Sequence, residues 1–453
     1  MDVVKSPLPA RISSPVVERA KAYPLMQALL RRRSRRFAQG LRLSGGPLSF
    51  TSSHEPHPLN LEEEAVLAFA ACGITGYGLA ELPYQNGDAP ETGGGNILIH
   101  FIGRTVASGD AVHAVALFVI NDGGAWFLKR PQDYPRHEIP ALVQAAKAHE
   151  FAVLYEKSRV RIANRRLDVP RTLPHVPPFN QWSANQPGTS YFLPVNELTA
   201  LYINIMLAAF SGDFGYFILD ERRGFQPAGI GRFARSRGGT LHDDPAEGRV
   251  ATIACLETWL CEFTAFEQGQ MLQNLALAAE ALGLGGFPHF AAHPFGWTQA
   301  LGFRMEDVAL ARTIGAGPLK TGLLNVLRRN VAVPTAVGLE RVGEVLLKPF
   351  CPPYYPSMKE AVLAFVEYKY GVDVGTLRDG GSATAWRDGS HVQAGIPRYS
   401  DEAIDATIAY CDYVYRRYGR FPANSGPFRT LLAYQAHHLD QDFYERFYDP
   451  ARV

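Results

Sequence analysis

The sequence predicts an α+β protein, in which a mostly antiparallel sheet is flanked by helices around a long buried central helix. Two β-rich runs, "AVALFVI" and "AWFLKR", are joined by the turn "NDGG", which is a strong hairpin signal. Residues 257–284 carry apolar side chains at helical spacing, and residues 275–282 are apolar on nearly every side. A helix of that kind is buried all round.

The N-terminal elements follow from spacing and caps. Residues 1–24 contain prolines and serines with weak patterning and predict an N-terminal arm. The leucine spacing fits a short amphipathic helix over residues 25–37, which runs into an arginine-rich segment. Asn60 is expected to cap a helix over residues 61–72, whose glutamates favour its first turn.

Further elements are predicted downstream of the glycine-rich loop "DAPETGGGN". Strands are expected in "ILIHFIG", "FAVLYE", "SYFLPV" and "GYFILDE", with a buried helix in "NELTALYINIMLAAF". After residue 284 the chain is rich in loops and prolines. Three more helices are predicted in "SMKEAVLAFVEYKYG", in "DEAIDATIAYCDYVYRRYG" and in "FRTLLAYQAHHLDQDFYERFY" near the C-terminus.

Composition excludes several classes of protein. The 453 residues include 45 basic and 44 acidic side chains, a net charge of +1 that argues against a nucleic-acid coat. We expect no membrane contact, because no stretch reaches about 18 uninterrupted apolar residues. Five cysteines without zinc spacing, and an N-terminus without an apolar signal region, predict a soluble protein of a reducing compartment, the cytoplasm.

The segment "LLRRRSRRFAQG", residues 29–40, is a local basic cluster on this neutral background. Guanidinium groups match phosphate oxygens in a bidentate way, and a serine hydroxyl donates one more hydrogen bond. The run therefore predicts an anion site, because alternating arginines at the end of a short helix can converge on one ligand. A solvated face, or an RNA or targeting patch, is the alternative interpretation of such a run.

Two segments resemble the nitroreductase superfamily of flavoproteins. In "RRRSRRF", residues 31–37, an Arg-Arg-Ser-x-Arg pattern stands where that family has its N-terminal signature after a first helix. Residues 273–286, "QNLALAAEALGLGG", resemble the family's central helix and the glycine turn that follows it. The two segments lie in the expected order, with predicted strands between them. The resemblance therefore implies a nitroreductase-like fold that binds FMN.

The resemblance also implies the contacts of that cofactor. The implied contacts are Arg32, Arg33, Ser34, Arg36, Gly94, Asn96, Gly285, Gly286 and Lys320. Arg32, Ser34 and Arg36 would contact the phosphate or ribityl chain. Arg33 would lie near the pyrimidine edge of the flavin. The two glycines of the later turn would let the backbone approach the N5 side closely. Lys320, Arg328 and Arg329 are all candidates to complete the phosphate site.

The implied activity is that of an FMN-dependent oxidoreductase. A hydride would enter at flavin N5 from NAD(P)H and leave to a small acceptor by a ping-pong route, with the flavin carrying the chemistry. The family forms homodimers with flavin at the interface, whereas a chain of this length could instead be a monomer that mimics the dimer. The alternative hypothesis is a non-enzymatic shell of the same fold that binds flavin weakly or not at all.

The chain also departs from the family pattern. It is about twice the usual length, and "ETGGGN" replaces the expected Pro-Ser-Ala-x-Asn-x-Gln-Pro-Trp stretch. The stretch "WSANQPG" has similar letters but comes late, and it fits chance or an insertion over the site. The domains predicted are an arm over 1–24, a flavin domain over 25–354 with an insertion at about 157–190, and a C-terminal helical extension over 355–453.

Histidine pairs give weak metal signals. His289 and His293 in "HFAAH" are four residues apart, a spacing that can bind a metal on a helix, but no acidic third residue is near in sequence. His54 and His57 in "HEPH" are separated by a proline that breaks any helix. We therefore expect no metal site from the sequence.

Overall fold

The computed structural model describes residues 14–81, 96–212, 214–291 and 294–452. Its central sheet is antiparallel throughout and has the strand order β12-β17-β8-β5-β6-β7, with β16 paired to β8. These strands are β5 (Val115–Asn121), β6 (Gly124–Leu128), β7 (Arg159–Ala163), β8 (Thr189–Glu197), β12 (Gly285–Phe290), β16 (Phe428–Arg429) and β17 (Leu432–His437). The predicted α+β architecture and the β5–β6 hairpin are confirmed.

Smaller sheets surround the central one. Most of their pairs are antiparallel, and β9 and β11 run parallel. The strands are β1 (Arg42–Leu43), β2 (Phe50–Thr51), β3 (Ile74–Tyr77), β4 (Ile102–Arg104), β9 (Phe217–Asp220), β10 (Gln226–Pro227), β11 (Val250–Thr252), β13 (Arg304–Ala309), β14 (Ala332–Arg341) and β15 (Glu344–Leu347).

Helices cover both faces of the central sheet. They are α1 (Pro15–Ala22), α2 (Leu25–Arg31), α3 (Leu61–Cys72), α4 (Ile139–Lys147), α5 (Phe151–Ser158), α6 (Thr199–Ala209), α7 (Ile253–Ala281), α8 (Pro294–Ala300), α9 (Leu310–Thr313), α10 (Pro318–Val326), α11 (Met358–Tyr370), α12 (Gly389–Gly395), α13 (Asp401–Tyr418) and α14 (Gln441–Phe447). None of the helices in the described ranges is both long and apolar enough to cross a membrane.

The long helix α7 is the central element of the fold, as predicted. Leu275 and Ala279 are buried where α7 packs against α3 and the face of the central sheet. The N-terminal half of α7 instead leaves an aromatic stripe on the surface, because Trp259, Phe263 and Phe266 are 38%, 45% and 57% exposed. The chain thus covers one half of this helix by itself and leaves apolar side chains of the other half in solvent.

The first helices agree with their cap signals. Asn60 Oδ1 accepts a hydrogen bond from the backbone N–H of Glu63 at 3.0 Å, and the Glu63 carboxylate accepts the Asn60 N–H in return. This capping box starts α3 at the predicted residue. The predicted N-terminal arm is partly helical, since α1 packs on α3 through the buried Val17.

Two predicted elements are wrong in type. The run "FAVLYE", predicted as a strand, forms helix α5, because a short apolar run does not by itself distinguish a strand from a buried helix. The C-terminal run predicted as one helix contains β16, β17 and α14. Strand β17 lies between β12 and β8 in the central sheet, and pairing on both sides overrides its helix-forming leucine, alanine and glutamine residues. The predicted helical extension over 355–453 thus also supplies strands.

Candidate functional site

The arginine segment lies along strand β12. Helix α2 ends at Arg31, and the backbone of Arg32 is already extended, with φ −54° and ψ 120°. Arg35 then donates its N–H to the carbonyl oxygen of Gly286 at 3.1 Å, and Ala38 forms a β-bridge with Leu439. The helix predicted over residues 25–37 therefore stops early, because the backbone after α2 pairs with the sheet. This pairing brings together the two segments that carry the family resemblance.

Arg36 is enclosed by residues of the predicted insertion. Its Nη2 lies 2.7 Å from the carbonyl oxygen of Phe179, 2.9 Å from Asn180 Oδ1 and 2.7 Å from Ser183 Oγ. The guanidinium also stacks over the ring of Trp182, with 5.0 Å between its carbon and the ring centroid. Burial lowers the pKa of Arg36 from its usual range, and this charge is met by acceptors of the chain itself.

Arg35 is the residue of this segment that the sequence analysis passed over. Its guanidinium forms an ion pair with Glu280 and donates to the carbonyl oxygen of Leu284 at 3.2 Å. Glu280 was visible in the sequence as the polar exception in the apolar end of the central helix. A basic partner for it is what its position on that helix required.

Arg32, Arg33 and Ser34 lie on the outer side of the segment. Arg33 and Ser34 are exposed, and Arg32 is half-buried. Arg33 Nη1 donates to the carbonyl oxygens of Leu30 at 2.8 Å and Arg32 at 3.1 Å, which neutralises no charge. Among the described residues, neither Arg32 nor Arg33 forms an ion pair. These two cations are available to an external anion.

Gly285 and Gly286 have a packing reason to be glycine. They lie in strand β12, and the turn that ends α7 is made instead by Gly283, with φ +70°. A Cβ on Gly286 would lie 2.6 Å from the carbonyl oxygen of Gln435, and one on Gly285 would lie 2.7 Å from His437 Nε2. The predicted turn at these two glycines is therefore wrong, because they lie in a strand and β17 fills the space on the side where they lack a side chain. Their contact with a flavin stays a prediction.

The other implied contacts lie elsewhere or outside the described residues. Gly94 is not among the described residues. Asn96 is buried, and its carbonyl oxygen accepts hydrogen bonds from Lys369 Nζ and, at 3.1 Å, from the hydroxyl of Tyr399. Lys320 is exposed on helix α10, which packs against α9. The structure thus groups Asn96 with helix α11 and with Tyr399, which precedes α13.

A buried polar cluster surrounds Lys369. Its Nζ donates to Asn204 Oδ1 at 2.7 Å, and Asn204 Nδ2 donates to Asp110 Oδ2 at 3.1 Å. Burial lowers the pKa of Lys369 to about 7, against the opposite effect of Asp110, and burial raises the pKa of Asp110 to about 6. No sequence pattern predicted this cluster, although Lys369 follows Phe365 at helical spacing on the apolar face of α11.

A neutral histidine–tyrosine pair lies near Arg36. Tyr191 Oη and His289 Nε2 are 3.1 Å apart, and burial lowers the pKa of His289 to about 4. His289 belongs to β12, and His293 lies outside the described residues. The "HFAAH" pair therefore does not lie on a helix at His289, and that histidine is engaged by a tyrosine.

Comparisons with known proteins give only weak similarity, and it is to solved structures. No protein-family model matches the chain, and no curated protein is significantly similar to it in sequence. Among solved structures, the chain is similar to one from Ralstonia eutropha JMP134 that is described as a putative nitroreductase, with 14% identity and a TM-score of 0.28. The match covers 62% of this chain and 77% of that chain. A TM-score this low assigns no activity, so function is inferred from the side chains.

Proposed function

We propose that the chain is an FMN-binding oxidoreductase of the nitroreductase type, whose arginine segment holds the cofactor phosphate. The observation that carries the proposal is the hydrogen bond from the Arg35 N–H to the Gly286 carbonyl oxygen. It joins the two segments on which the family resemblance rests, although the two partners are 251 positions apart in the sequence. Chance matches in two distant segments have no reason to lie side by side at one sheet edge.

The phosphate end of the cofactor fits the outer side of the segment. Arg32 and Arg33 supply two positive charges that no described carboxylate compensates, and Ser34 supplies an exposed hydroxyl. A phosphate carries about two negative charges at neutral pH and accepts such charge-assisted hydrogen bonds well. Arg36, which the resemblance also implies as a contact, is already engaged by residues 179–183. We therefore assign the phosphate to Arg32, Arg33 and Ser34.

The flavin ring fits the surface beside β12 less well than the phosphate fits the arginine segment. Bound FMN would supply hydride chemistry between NAD(P)H and a small acceptor, in ping-pong order. The chain's own contribution is to hold the cofactor at the edge of β12 with fixed positive charge. Strand β17 closes the side of Gly285 and Gly286 that lacks side chains, so a ring must approach β12 from another direction.

A second candidate function is a non-enzymatic shell that binds flavin weakly or not at all. Two observations favour it: the 179–183 segment occupies the Arg36 guanidinium, and strand β17 fills the space beside Gly286. In that case the extra segments of this long chain replace the cofactor with protein contacts. The two candidates differ in whether the cations at Arg32 and Arg33 bind FMN.

Purification without additives followed by titration with FMN separates the two candidates. The first candidate predicts a yellow protein that releases FMN and not FAD, with FMN bound more weakly after Arg32→Ala. Loss of one charge-assisted hydrogen bond, about 1.5–3 kcal/mol, corresponds to about 10- to 150-fold in Kd. Arg42→Ala is the matched control, because Arg42 is another exposed arginine shortly after the segment.

The outcomes are distinct. A colourless protein that shows no binding on titration with FMN contradicts the first candidate and supports the shell. FMN binding that Arg32→Ala and Arg42→Ala weaken equally, or not at all, would show that the phosphate is held somewhere else on the chain.

A further inference from the structure

Three side chains from distant parts of the sequence converge beside helix α14. One ligand atom each from His54, Asp440 and Asp442 lies within 4.8 Å of the other two. The His54 Nε2 to Asp442 Oδ2 distance is 3.5 Å, and the Ser53 hydroxyl donates to the same Asp442 oxygen at 3.2 Å. His54 follows strand β2, so the cluster joins an N-terminal loop to the C-terminal helix. The proline that follows two residues later breaks a helix but does not affect this arrangement.

Asp440 gives the cluster a feature that an exposed acidic group lacks. The residue is fully buried, at 0% exposure, and its Oδ1 accepts the Phe443 N–H at 3.1 Å as the N-cap of α14. Its other oxygen, Oδ2, is buried and has no hydrogen-bond partner among the described residues. A buried carboxylate oxygen without a partner is costly unless a cation or donor meets it. We therefore expect a cation or a hydrogen-bond donor to bind Asp440 Oδ2.

We propose that His54, Asp440 and Asp442 bind a divalent transition-metal cation of the zinc type. Histidine nitrogens and aspartate oxygens are both zinc ligands, and a site with three protein ligands keeps water in the fourth position. Metal–ligand distances of about 2.0–2.2 Å in a tetrahedron place the ligand atoms about 3.3–3.6 Å apart. The 3.5 Å between His54 and Asp442 meets this value, and both side chains are exposed enough to close on Asp440.

The position of the site indicates what the metal would do. The Asp440 N–H donates to the carbonyl oxygen of Phe37 at 3.4 Å, and the Phe37 ring stacks on Phe443 with 4.1 Å between centroids. Phe37 directly follows Arg36 in the arginine segment. A metal bound to His54 and Asp440 would therefore fasten the loop after β2 to α14, and through Phe37 it would hold the end of the arginine segment.

Calorimetric titration of the full-length protein with Zn²⁺, after removal of metals with a chelator, tests the site. One equivalent should bind, and Asp440→Asn should weaken binding by at least about tenfold, since even loss of a supporting residue costs about 10- to 100-fold. Asparagine caps helices as well as aspartate does, so this variant keeps α14 intact. His54→Gln should weaken binding similarly. The matched controls are Glu445→Gln, on the same helix, and His57→Gln, in the same loop; both should bind like the wild type.

Thermal melting supplies an independent readout. Zn²⁺ should raise the Tm of the wild type and of both controls, and should raise that of Asp440→Asn much less, because a ligand of the folded state stabilises it. The proposal is overturned by a wild type that does not bind Zn²⁺, by ligand variants that bind as tightly as the controls, or by Mg²⁺ binding as tightly as Zn²⁺. The last result would deny the imidazole a role.

Discussion

Replacing Arg36 with alanine tests whether this residue supports the fold or contacts a phosphate. The structure predicts support, because its guanidinium donates to residues 179–183 and stacks on Trp182 and on Phe287, at 4.8 Å from the Phe287 ring centroid. Arg36→Ala should therefore lower the free energy of unfolding and leave FMN affinity unchanged. The resemblance to the nitroreductases implies the reverse.

The expected loss follows from the contacts. Charge-assisted hydrogen bonds contribute about 1.5–3 kcal/mol, and leaving the buried Asn180 and Ser183 oxygens without that donor costs about 1–3 kcal/mol. Stacking on the two rings adds about 0.5–1 kcal/mol each. These effects overlap, and the arginine is only half-buried, so the net loss is about 2–4 kcal/mol. With an unfolding entropy of about 2.1 cal/mol/K per residue, a chain of 453 residues loses about 1 °C of Tm per kcal/mol, so Tm should fall by about 2–4 °C.

Thermal melting and FMN titration on the same preparations decide the matter. Arg33→Ala is the control for stability, because Arg33 is exposed and bonds only nearby carbonyl oxygens, and a change within about 0.5 kcal/mol is expected. If the Tm of Arg36→Ala equals that of the wild type and the variant no longer binds FMN, Arg36 is a phosphate contact. The enclosure by residues 179–183 would then not persist in the flavin-bound protein.

Three further changes test the core, the buried charge and the surface. Ala279→Leu should overpack the contact of α7 with α3 and lower stability by about 1–3 kcal/mol, with no change of mass in light scattering because the chain itself covers that face. Between pH 7 and 10.5, Lys369 of the wild type should bind a proton on unfolding, because its pKa is about 7 when folded and 10.5 when unfolded, and Lys369→Met should abolish this uptake. Over that window, the free energy of unfolding measured in urea should rise by up to about 1.4 kcal/mol per pH unit in the wild type relative to the variant. The loss of the lysine beside Asp110 changes this difference in the same direction. If the free energy of unfolding has the same pH dependence in both proteins, the pKa of the lysine is not lowered. If the implied homodimer forms through the aromatic stripe of α7, Phe266→Ser should reduce the mass in light scattering to that of one 49.9 kDa chain, and a monomeric wild type would contradict this.

Elements that depend on local signals were predictable from the sequence. The hairpin of β5 and β6 is set by its turn residues, and α3 by the box between Asn60 and Glu63. Helix α7 could be placed because its apolar circumference needs no knowledge of its neighbours. Strand β17 could not be placed from the sequence, because its conformation depends on pairing with β12 and β8, which lie far from it along the chain.

The candidate site divides in the same way. Chemistry-bearing residues were visible as a pattern in the arginine segment, and the phosphate contact that this pattern predicts stays a prediction. The interaction partners were not visible in the sequence. Arg36 donates to residues 179–183, which follow it by 143 to 147 positions, and Asp440 of the proposed metal site lies beside His54 near the N-terminus. Polar partnerships between distant segments have no local period, so single-sequence patterns do not indicate them.

The arrangement of the five arginines bears on the choice between the two functions. Main-chain hydrogen bonds fix the segment at β12, and they make no demand on the side chains. Arg35 and Arg36 face protein acceptors, so stability alone explains them. Arg33 donates only to the uncharged carbonyl oxygens of Leu30 and Arg32, and neither Arg32 nor Arg33 forms an ion pair in the described chain. Their neighbouring like charges repel, and a bound anion would relieve that repulsion. Protein contacts explain the inner pair under either function, whereas the outer pair fits a solvated face in the shell and a phosphate contact in the proposed FMN-binding protein.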